Sequence, residues 1–224
     1  MFERYAVYHS FDVPLATQGA AWLGWDIASG RKAEHPALDD LDLDRVTQRP
    51  RKYGFHATIM APFHPADGIL QADIEAAFVE ICEALAPARY DGLELSQLGR
   101  FLALTPRGRT TQINALARDV ITQLDRFRAP LSAHDLQRRS NSRMTERQRE
   151  NLERWGYARV MEDFQFHATL TGNLKTSEIG NVHRQAERFF APALTGSVAL
   201  SHLSLVAEGK DGMFHEVLRN PLRA

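Results

Sequence analysis

The sequence is poor in several features that would assign a protein to a class directly. It contains one cysteine, Cys82, which excludes a disulfide framework and a zinc site built of thiolates and is typical of a reducing compartment. No apolar run reaches the roughly 18–20 residues that a membrane-spanning helix needs. The first residues lack the basic and long apolar parts of a signal peptide. We therefore expect a cytoplasmic protein that does not bind membranes.

The chain also lacks an excess of charge of either sign. Its 27 lysine and arginine residues are balanced by 28 aspartate and glutamate residues, for a net charge of −1 over 224 residues. This balance disfavours proteins that wrap duplex nucleic acid through a broad basic field. No glycine-rich phosphate loop is present, which disfavours a kinase or ligase driven by ATP. With 44% hydrophobic residues the chain can nevertheless form a core of ordinary size.

One short segment occurs twice. Residues 54–59, Gly-Phe-His-Ala-Thr-Ile, recur at residues 165–170 as Gln-Phe-His-Ala-Thr-Leu, and the two histidines are 111 positions apart (167 − 56). This interval is almost half of the chain, and both copies lie in a strand-like context. The repeat indicates two copies of one unit. We therefore expect two lobes related by a pseudo-twofold axis.

The hydrophobic pattern predicts both helices and short strands. Apolar residues at helical spacing predict amphipathic helices over residues 73–85, 113–127 and 179–190, and a capping box at Thr145 and Gln148 begins a helix that Gly156 ends. Strands are predicted over residues 4–11, 53–60, 93–95, 101–104, 164–171, 198–207 and 213–218, and a short helix over residues 14–25. Residues 30–51 and 132–143 are predicted to be long loops and are candidates for lids. Pro62 is expected to end the first motif strand. The predicted fold class is α+β: residues 1–224 form a single bilobal, pseudo-twofold domain whose antiparallel sheets line a central cleft, with helices outside.

The two motif strands each have one apolar and one polar face. Since side chains alternate along a strand, His56 and Thr58 point one way and their apolar neighbours the other, and the same holds for His167 and Thr169. The imidazole and the hydroxyl of each motif are then roughly 6–7 Å apart. If the halves are related by a twofold axis, two histidines and two threonines surround one small volume.

This set of groups suits the opening of a cyclic phosphodiester by water. One imidazole can take the proton of the water and the other can protonate the departing alkoxide, because the ordinary pKa of histidine lies near neutrality. The threonine hydroxyls can donate to the non-bridging oxygens. No metal or other cofactor is required, and the sequence does not say which histidine is the acid and which the base. A structural role for both histidines, or a metal site formed by them with a carboxylate, is the alternative.

The motifs resemble those of the two-histidine (2H) phosphoesterase superfamily, whose hallmark is one His-x-Thr/Ser motif in each lobe. The flanking residues 52–63 and 155–167 resemble a narrower branch that is often encoded with carbon–phosphorus lyase genes for phosphonate use. The resemblance implies a bilobal α+β cleft and metal-independent chemistry on 2′,3′-cyclic or related cyclic phosphates, with a small cyclic phosphate as partner and His56, Thr58, His167 and Thr169 as catalytic residues. A ribose cyclic phosphate from phosphonate breakdown is the substrate that this association suggests.

Several other residues are candidates for holding the phosphate. On the first strand Tyr8 and Arg4 share a face, although the pattern does not decide which face of that strand lines the cleft. Tyr53 precedes the first motif, and Arg138 and Arg143 belong, with Arg139, to a basic cluster suited to binding phosphate oxygens. Surface or packing roles are the alternative for each of these residues.

Two other functions fit the same motifs. An enzyme acting on the cyclic phosphate ends of RNA would need a basic track leading to the cleft, and the balanced charge argues against one. A binding module that senses a phosphorylated ligand would bind without turnover. The presence of both complete His-x-Thr motifs favours catalysis.

Overall fold

A seven-stranded antiparallel sheet organises the chain in the computed structural model, which describes residues 2–194 and 196–224. In chain order the strands are β1 (Tyr5–His9), β2 (Trp25–Asp26), β3 (Arg31–Lys32), β4 (Ala57–Phe63), β5 (Ala88–Tyr90), β6 (Leu93–Leu98), β7 (Phe101–Pro106), β8 (Ala168–Thr169), β9 (Val198–Leu200), β10 (His202–Glu208) and β11 (Phe214–Pro221). The α-helices are α1 (Leu15–Leu23), α2 (Leu43–Arg51), α3 (Gln71–Ala84), α4 (Thr111–Leu124), α5 (Ala133–Arg139), α6 (Glu146–Trp155) and α7 (Thr176–Phe190).

The strand order places both motif strands at the centre of the sheet. That order is β11-β10-β1-β4-β8-β7-β6, and every neighbouring pair is antiparallel. Strands β2 and β3, and strands β5 and β9, form separate antiparallel pairs. The predicted α+β class with antiparallel sheets is confirmed. The two halves of the chain meet through β4 and β8, so their main strands form one continuous sheet.

The apolar face of the sheet carries the main core. Helix α3 buries Ile74 and Phe78, and α4 buries Ile113 and Val120, as their helical periodicity predicts. These residues belong to one cluster with the inward side chains of β1 and β4, among them Ile59. None of the helices in the described residues combines the length and the apolar character that crossing a membrane requires.

A smaller cluster lies on the opposite face of the sheet. It consists of Ala6, Tyr8, Trp25, Ile27, Val206 and Phe214. Tyr8 and Ala6 come from β1, where they alternate with core residues, so this face of β1 is the one that continues toward the histidines. The cluster supports one side of the candidate site.

The first motif strand continues past the proline that was expected to end it. Pro62 lies inside β4, where Tyr5 opposes Phe63 and Val7 opposes Met60, so that β4 has one extra residue between those two pairs. Such a bulge tolerates proline because the ladder is already interrupted there. The second motif strand is shorter than predicted, since only Ala168–Thr169 of residues 164–171 is a strand.

Two predicted loops contain helices. Residues 30–51 include α2, which Asp42 caps by accepting from the backbone of Arg45, and residues 132–143 include α5, capped in the same way by Ser132. Helix α5 has no buried side chain, and two of the four buried positions of α2 are Thr47 and Pro50, so apolar residues alone did not reveal either helix. The predicted strand over residues 198–207 is also divided, because β9 pairs with β5 whereas β10 pairs with β1 and β11.

Candidate active site

The pairing of β4 with β8 brings the two His-x-Thr motifs together. Ala57 lies opposite Ala168, and both alanines are fully buried. In an antiparallel pair this register sets His56 beside Thr169 and Thr58 beside His167, with all four side chains on the face opposite the alanines. The four side chains line one cleft with a volume of about 670 Å³. The predicted grouping of the motifs is therefore present in the structure.

Both imidazoles are held by the same local hydrogen bond. The Nδ1 atom of His56 lies 2.9 Å from the carbonyl oxygen of Gly54, and Nδ1 of His167 lies 2.8 Å from that of Gln165. Since a carbonyl oxygen only accepts, Nδ1 carries the proton in each ring. In the neutral form Nε2 then has a free electron pair. Each histidine is thus set in the tautomer in which Nε2 can accept a proton.

Gly54 has the backbone conformation that this contact needs in the first motif. Its φ is +69°, in the left-handed region, and a Cβ built there would lie 2.7 Å from Cβ of Ile27. A side chain at this position would be strained both by φ and by the contact. The second motif has Gln165 at the equivalent place, so only the first half depends on glycine to present its carbonyl.

The first motif also contains a hydrogen bond between its two functional side chains. Nε2 of His56 and Oγ1 of Thr58 are 3.0 Å apart. Because the Nδ1 of His56 is already protonated, the threonine hydroxyl donates to Nε2 in the neutral state. The threonine is therefore aligned with the nitrogen atom that would exchange protons with a substrate.

The environment lowers the pKa of both histidines. The pKa of His56 is lowered to about 4, chiefly by burial and to a smaller extent by the charge of His167, while the carbonyl of Gly54 opposes the shift. Burial also lowers the pKa of His167, the carbonyl of Gln165 opposes this, and the charge of Arg159 lowers it further. The register of β4 and β8 makes the two rings diagonal neighbours on one face of the sheet. Their lowered pKa favours the uncharged form of each ring at neutral pH.

Tyr8 packs directly on the first histidine. Its ring is stacked on that of His56, with centroids 3.5 Å apart and an angle of 14° between the planes. Tyr8 is 1% exposed and opposes Thr58 in the pairing of β1 with β4. Burial raises the pKa of its phenol well above the ordinary value, so the phenol stays protonated. The stack fixes the plane of the imidazole.

The cleft is lined by arginines and by no carboxylate among the described residues. The arginines are Arg4, Arg49, Arg138, Arg139 and Arg159. Arg4 donates from Nε to Glu208, a carboxylate that Lys52 also approaches at 3.7 Å. The pKa of Glu208 is lowered chiefly by the hydrogen bond from Arg4. The positive lining suits an anionic ligand.

Most of the residues predicted to hold phosphate line this cleft. Tyr8, Arg4, Tyr53 and Arg138 are among its walls, so the face of β1 that carries Arg4 and Tyr8 is the one that faces the cleft. Arg143 is exposed and is not one of the lining residues. Nothing in the sequence says that the loop turns this side chain away from the histidines.

Three charged or phenolic lining residues were not predicted: Arg49, Tyr157 and Arg159. Arg49 is on α2, a segment that was predicted to be a loop. Tyr157 and Arg159 follow α6 in an irregular segment, where no periodic pattern could have placed them on the cleft wall. Arg159 donates from Nη1 to Oε1 of Gln165 over 2.7 Å, which ties it to the residue that anchors His167.

The described residues contain no group of three or more His, Cys, Asp or Glu side chains that could hold a metal ion. Whether the protein acts without a metal therefore stays a prediction, to be tested with a chelator. The seven other histidines do not join the pair: His9, His35, His64, His134, His183, His202 and His215 do not line the cleft.

A family model matches residues 58–215, most of the chain from the first motif to strand β11. Its description is "Protein of unknown function (DUF1045)". The chain belongs to this family. The DUF1045 match includes Thr58 and the whole second motif, whereas Tyr8 and His56 lie before its first matched residue.

Two curated relatives match nearly the whole chain. The protein named "Ribose 1,5-bisphosphate phosphokinase PhnN" from Janthinobacterium sp. (strain Marseille) is 33% identical over 218 residues, which are 93% of this chain and 48% of the relative. The protein of the same name from Laribacter hongkongensis (strain HLHK9) is 32% identical over 228 residues, which are 96% of this chain and 51% of the relative. This DUF1045 chain thus spans about half the length of the curated relatives that it matches.

Similar solved structures include one described as "Crystal structure of phosphoesterase", with a TM-score of 0.46, 12% identity and 100% coverage of both chains. Another is "Crystal structure of E.coli LigT complexed with 3'-AMP", with a TM-score of 0.47, 13% identity and 100% coverage of both chains.

Proposed function

We propose that the protein is a phosphoesterase that opens a cyclic phosphodiester of a small nucleotide or sugar phosphate without a metal ion. The observation that carries the proposal is the register of β4 and β8, which sets two histidines and two threonines on one face of the sheet. Two independent features support a catalytic role for the histidines. Each Nδ1 is fixed by a backbone carbonyl, and no carboxylate lines the cleft in the described residues.

In the proposed reaction the two Nε2 atoms act as base and acid. The neutral histidine takes a proton from the attacking water at Nε2, and the protonated histidine gives its Nε2 proton to the departing alkoxide. The bond from the water oxygen to phosphorus forms as one ester bond of the ring breaks, so the product is a phosphate monoester and a free hydroxyl. The hydroxyls of Thr58 and Thr169 and the guanidinium of Arg159 stabilise the charge on the non-bridging oxygens.

The binding of an anionic substrate supplies the proton that the acid needs. In the free protein the pKa of both histidines is lowered, so the acid form is scarce at neutral pH. A phosphodiester between the rings favours the charged imidazolium and raises the pKa of the histidine that it contacts. Substrate binding and protonation of one histidine are therefore coupled.

A ribose cyclic phosphate is the substrate that the relatives favour. Their printed name is that of a kinase acting on ribose 1,5-bisphosphate, and this chain matches only about half of each. The chain itself contains no glycine-rich phosphate loop for ATP. Opening a cyclic phosphate of ribose gives a ribose phosphate monoester, which is the class of compound that such a kinase uses. A role in phosphonate metabolism is part of this proposal and follows from the resemblance of the motifs.

Turnover of a panel of cyclic phosphates in the presence of a chelator tests the proposal. The panel contains 2′,3′-cyclic nucleotides, ribose cyclic phosphates and a short RNA with a cyclic phosphate end. We expect His56→Ala and His167→Ala each to lower kcat by about 10²- to 10⁴-fold. His64→Ala, which changes an exposed histidine outside the cleft, is the matched control.

Each outcome separates the candidate functions. Turnover by the wild type in chelator, lost in both cleft variants while their circular dichroism is unchanged, supports the two-histidine mechanism. Activity that returns only with added metal overturns the metal-free part. Preference for the RNA end would make the protein an RNA-end enzyme, and saturable binding without turnover of any member would make it a phosphate sensor.

A further inference from the structure

The cleft has more positive charge than one cyclic phosphodiester requires. A cyclic phosphodiester carries a single negative charge, whereas five arginines line the cleft and no aspartate or glutamate does among the described residues. The protein as a whole has almost equal numbers of acidic and basic residues. The excess of arginine is therefore a local property of this cleft, and part of it is not used by the mechanism above.

Arg139 is the clearest unused cation. It is half-buried, and the contact found for it is a hydrogen bond from Nη1 to the carbonyl oxygen of Gly156, at 3.0 Å. Arg4 and Arg138, by contrast, are paired with Glu208 and Asp135. Burial lowers the pKa of Arg139, and the charges of Arg138 and Arg4 lower it further while Asp135 opposes them. Its hydrogen bond to Gly156 uses one of the five N–H donors of the guanidinium, so Arg139 can also bind an anion.

The surroundings of Arg139 are suited to a phosphate. Tyr157 lines the same cleft as Arg139, and its side chain is 41% exposed. Tyr53 also lines this cleft. Guanidinium and phenol groups together offer several donors to phosphate oxygens.

Arg139 is anchored to a different part of the chain from the arginine that acts on His167. Arg159 is the arginine whose charge acts on His167, and it is joined to Gln165 by its side chain. Arg139 lies at the end of α5 and is held to the turn after α6 instead. The cleft thus offers one cationic position at the histidines and a second one along its wall.

We propose that the substrate carries a second phosphate, a monoester that does not react, bound by Arg139 with Tyr157 while the cyclic phosphate lies between His56 and His167. The inference rests on the proposed function and specifies its substrate class. Water is added across one P–O bond of the ring, and the monoester is unchanged. The product therefore carries two phosphate monoester groups.

The test compares two substrates that differ only in the second phosphate. These are adenosine 2′,3′-cyclic phosphate and the same compound with a 5′-phosphate. We expect the wild type to prefer the 5′-phosphorylated compound, and Arg139→Gln to lower the ratio of the two kcat/KM values by about 10- to 100-fold, the range for losing a charge-assisted hydrogen bond. Arg109→Gln removes the same charge from an exposed loop outside the cleft and should leave the ratio unchanged.

A wild type that uses both compounds equally, or an Arg139→Gln variant that slows both by the same factor, overturns the second site. If neither compound is turned over, the proposed function fails for them, and binding decides the second site separately. For this purpose the affinity for ribose 5-phosphate is measured by calorimetry with the wild type and both variants. Weaker binding in Arg139→Gln alone supports the site, and equal binding in all three proteins overturns it.

Discussion

Raising the pH above neutrality should slow the opening of a cyclic phosphate, because the acid of the histidine pair is then unprotonated in the free protein. The productive state has one proton on the pair. Burial lowers the pKa of His56 to about 4 and lowers that of His167 below its ordinary value of 6.5. Since the two rings interact, the protons are bound by the pair as a unit. The singly protonated state is therefore most populated at mildly acidic pH.

The size of the effect follows from the titration curve. A group whose pKa is below 6.5 is protonated in less than about a tenth of the molecules one pH unit above that value. We therefore expect kcat/KM to have its optimum below about pH 6.5, to fall close to tenfold for each pH unit above it, and to fall again near about pH 4 as the second proton binds. The pH optimum of kcat should be higher than that of kcat/KM, because the bound phosphate favours the imidazolium.

Initial rates measured from about pH 4 to 9 at constant ionic strength test this reasoning. Arg159→Gln is the informative variant, since the charge of Arg159 lowers the pKa of His167. Its alkaline limb in kcat/KM should move to higher pH, although its activity is lower. A wild-type kcat/KM that is constant or rises between about pH 6.5 and 8.5 would refute the assignment of the two lowered pKa values to the acid–base pair.

Three further changes test the structure around the pair. Gly54→Ala should lower the free energy of unfolding by about 2–3 kcal/mol and reduce kcat. Gly68→Ala is the control, because Gly68 also has a left-handed backbone but nothing lies within 4 Å of a Cβ built there, and it should lower the free energy of unfolding by about 1 kcal/mol. Urea unfolding and initial rates measure both variants. Tyr8→Phe should keep most of kcat and Tyr8→Leu should lose more, because only the former retains the stack on His56; equal losses would contradict a positioning role for the ring. His9 is 3% exposed, and burial lowers its pKa to about 4, against 6.5 in the unfolded chain. The unfolded chain therefore binds a proton at His9 more readily than the folded protein, and the free energy of unfolding falls as the pH drops below about 6.5. Urea unfolding at about pH 7.5 and 4.5 should therefore show about 2–3 kcal/mol less acid destabilisation in His9→Met than in the wild type, and the same acid sensitivity in both proteins would contradict the burial of a neutral ring.

Local patterns in the sequence predicted much of the fold. The amphipathic periods of α3 and α4, and the capping box that begins α6, depend on residues close together in the chain, and the structure has all three. Helix α2 was missed although its buried residues, Leu43, Val46, Thr47 and Pro50, have helical spacing. The helix is short and highly charged, and two of these four positions are held by a threonine and by a proline, which is disfavoured inside helices. The pattern was therefore not recognised from apolar residues.

The reactive groups of the site were also accessible from the sequence. Alternation along a strand sets His56 and Thr58 on one face, and repetition of the motif suggested that the second pair would join them. The structure places both pairs in one cleft. The exact partner in the sheet, Ala57 opposite Ala168, could not be predicted, because a register between strands 111 residues apart depends on the packing of the whole chain.

The sequence by itself therefore determined the α+β class, the amphipathic helices and the two His-x-Thr pairs of the candidate site, since each of these follows from local spacing. Only the tertiary structure decided which face of β1 joins the cleft, that Arg143 is outside it, and that Arg49, Tyr157 and Arg159 are inside. It also decided the lowered pKa of both histidines. Burial and the charges that surround a group are sums over residues distant in the chain, and these sums are fixed only when the chain is folded.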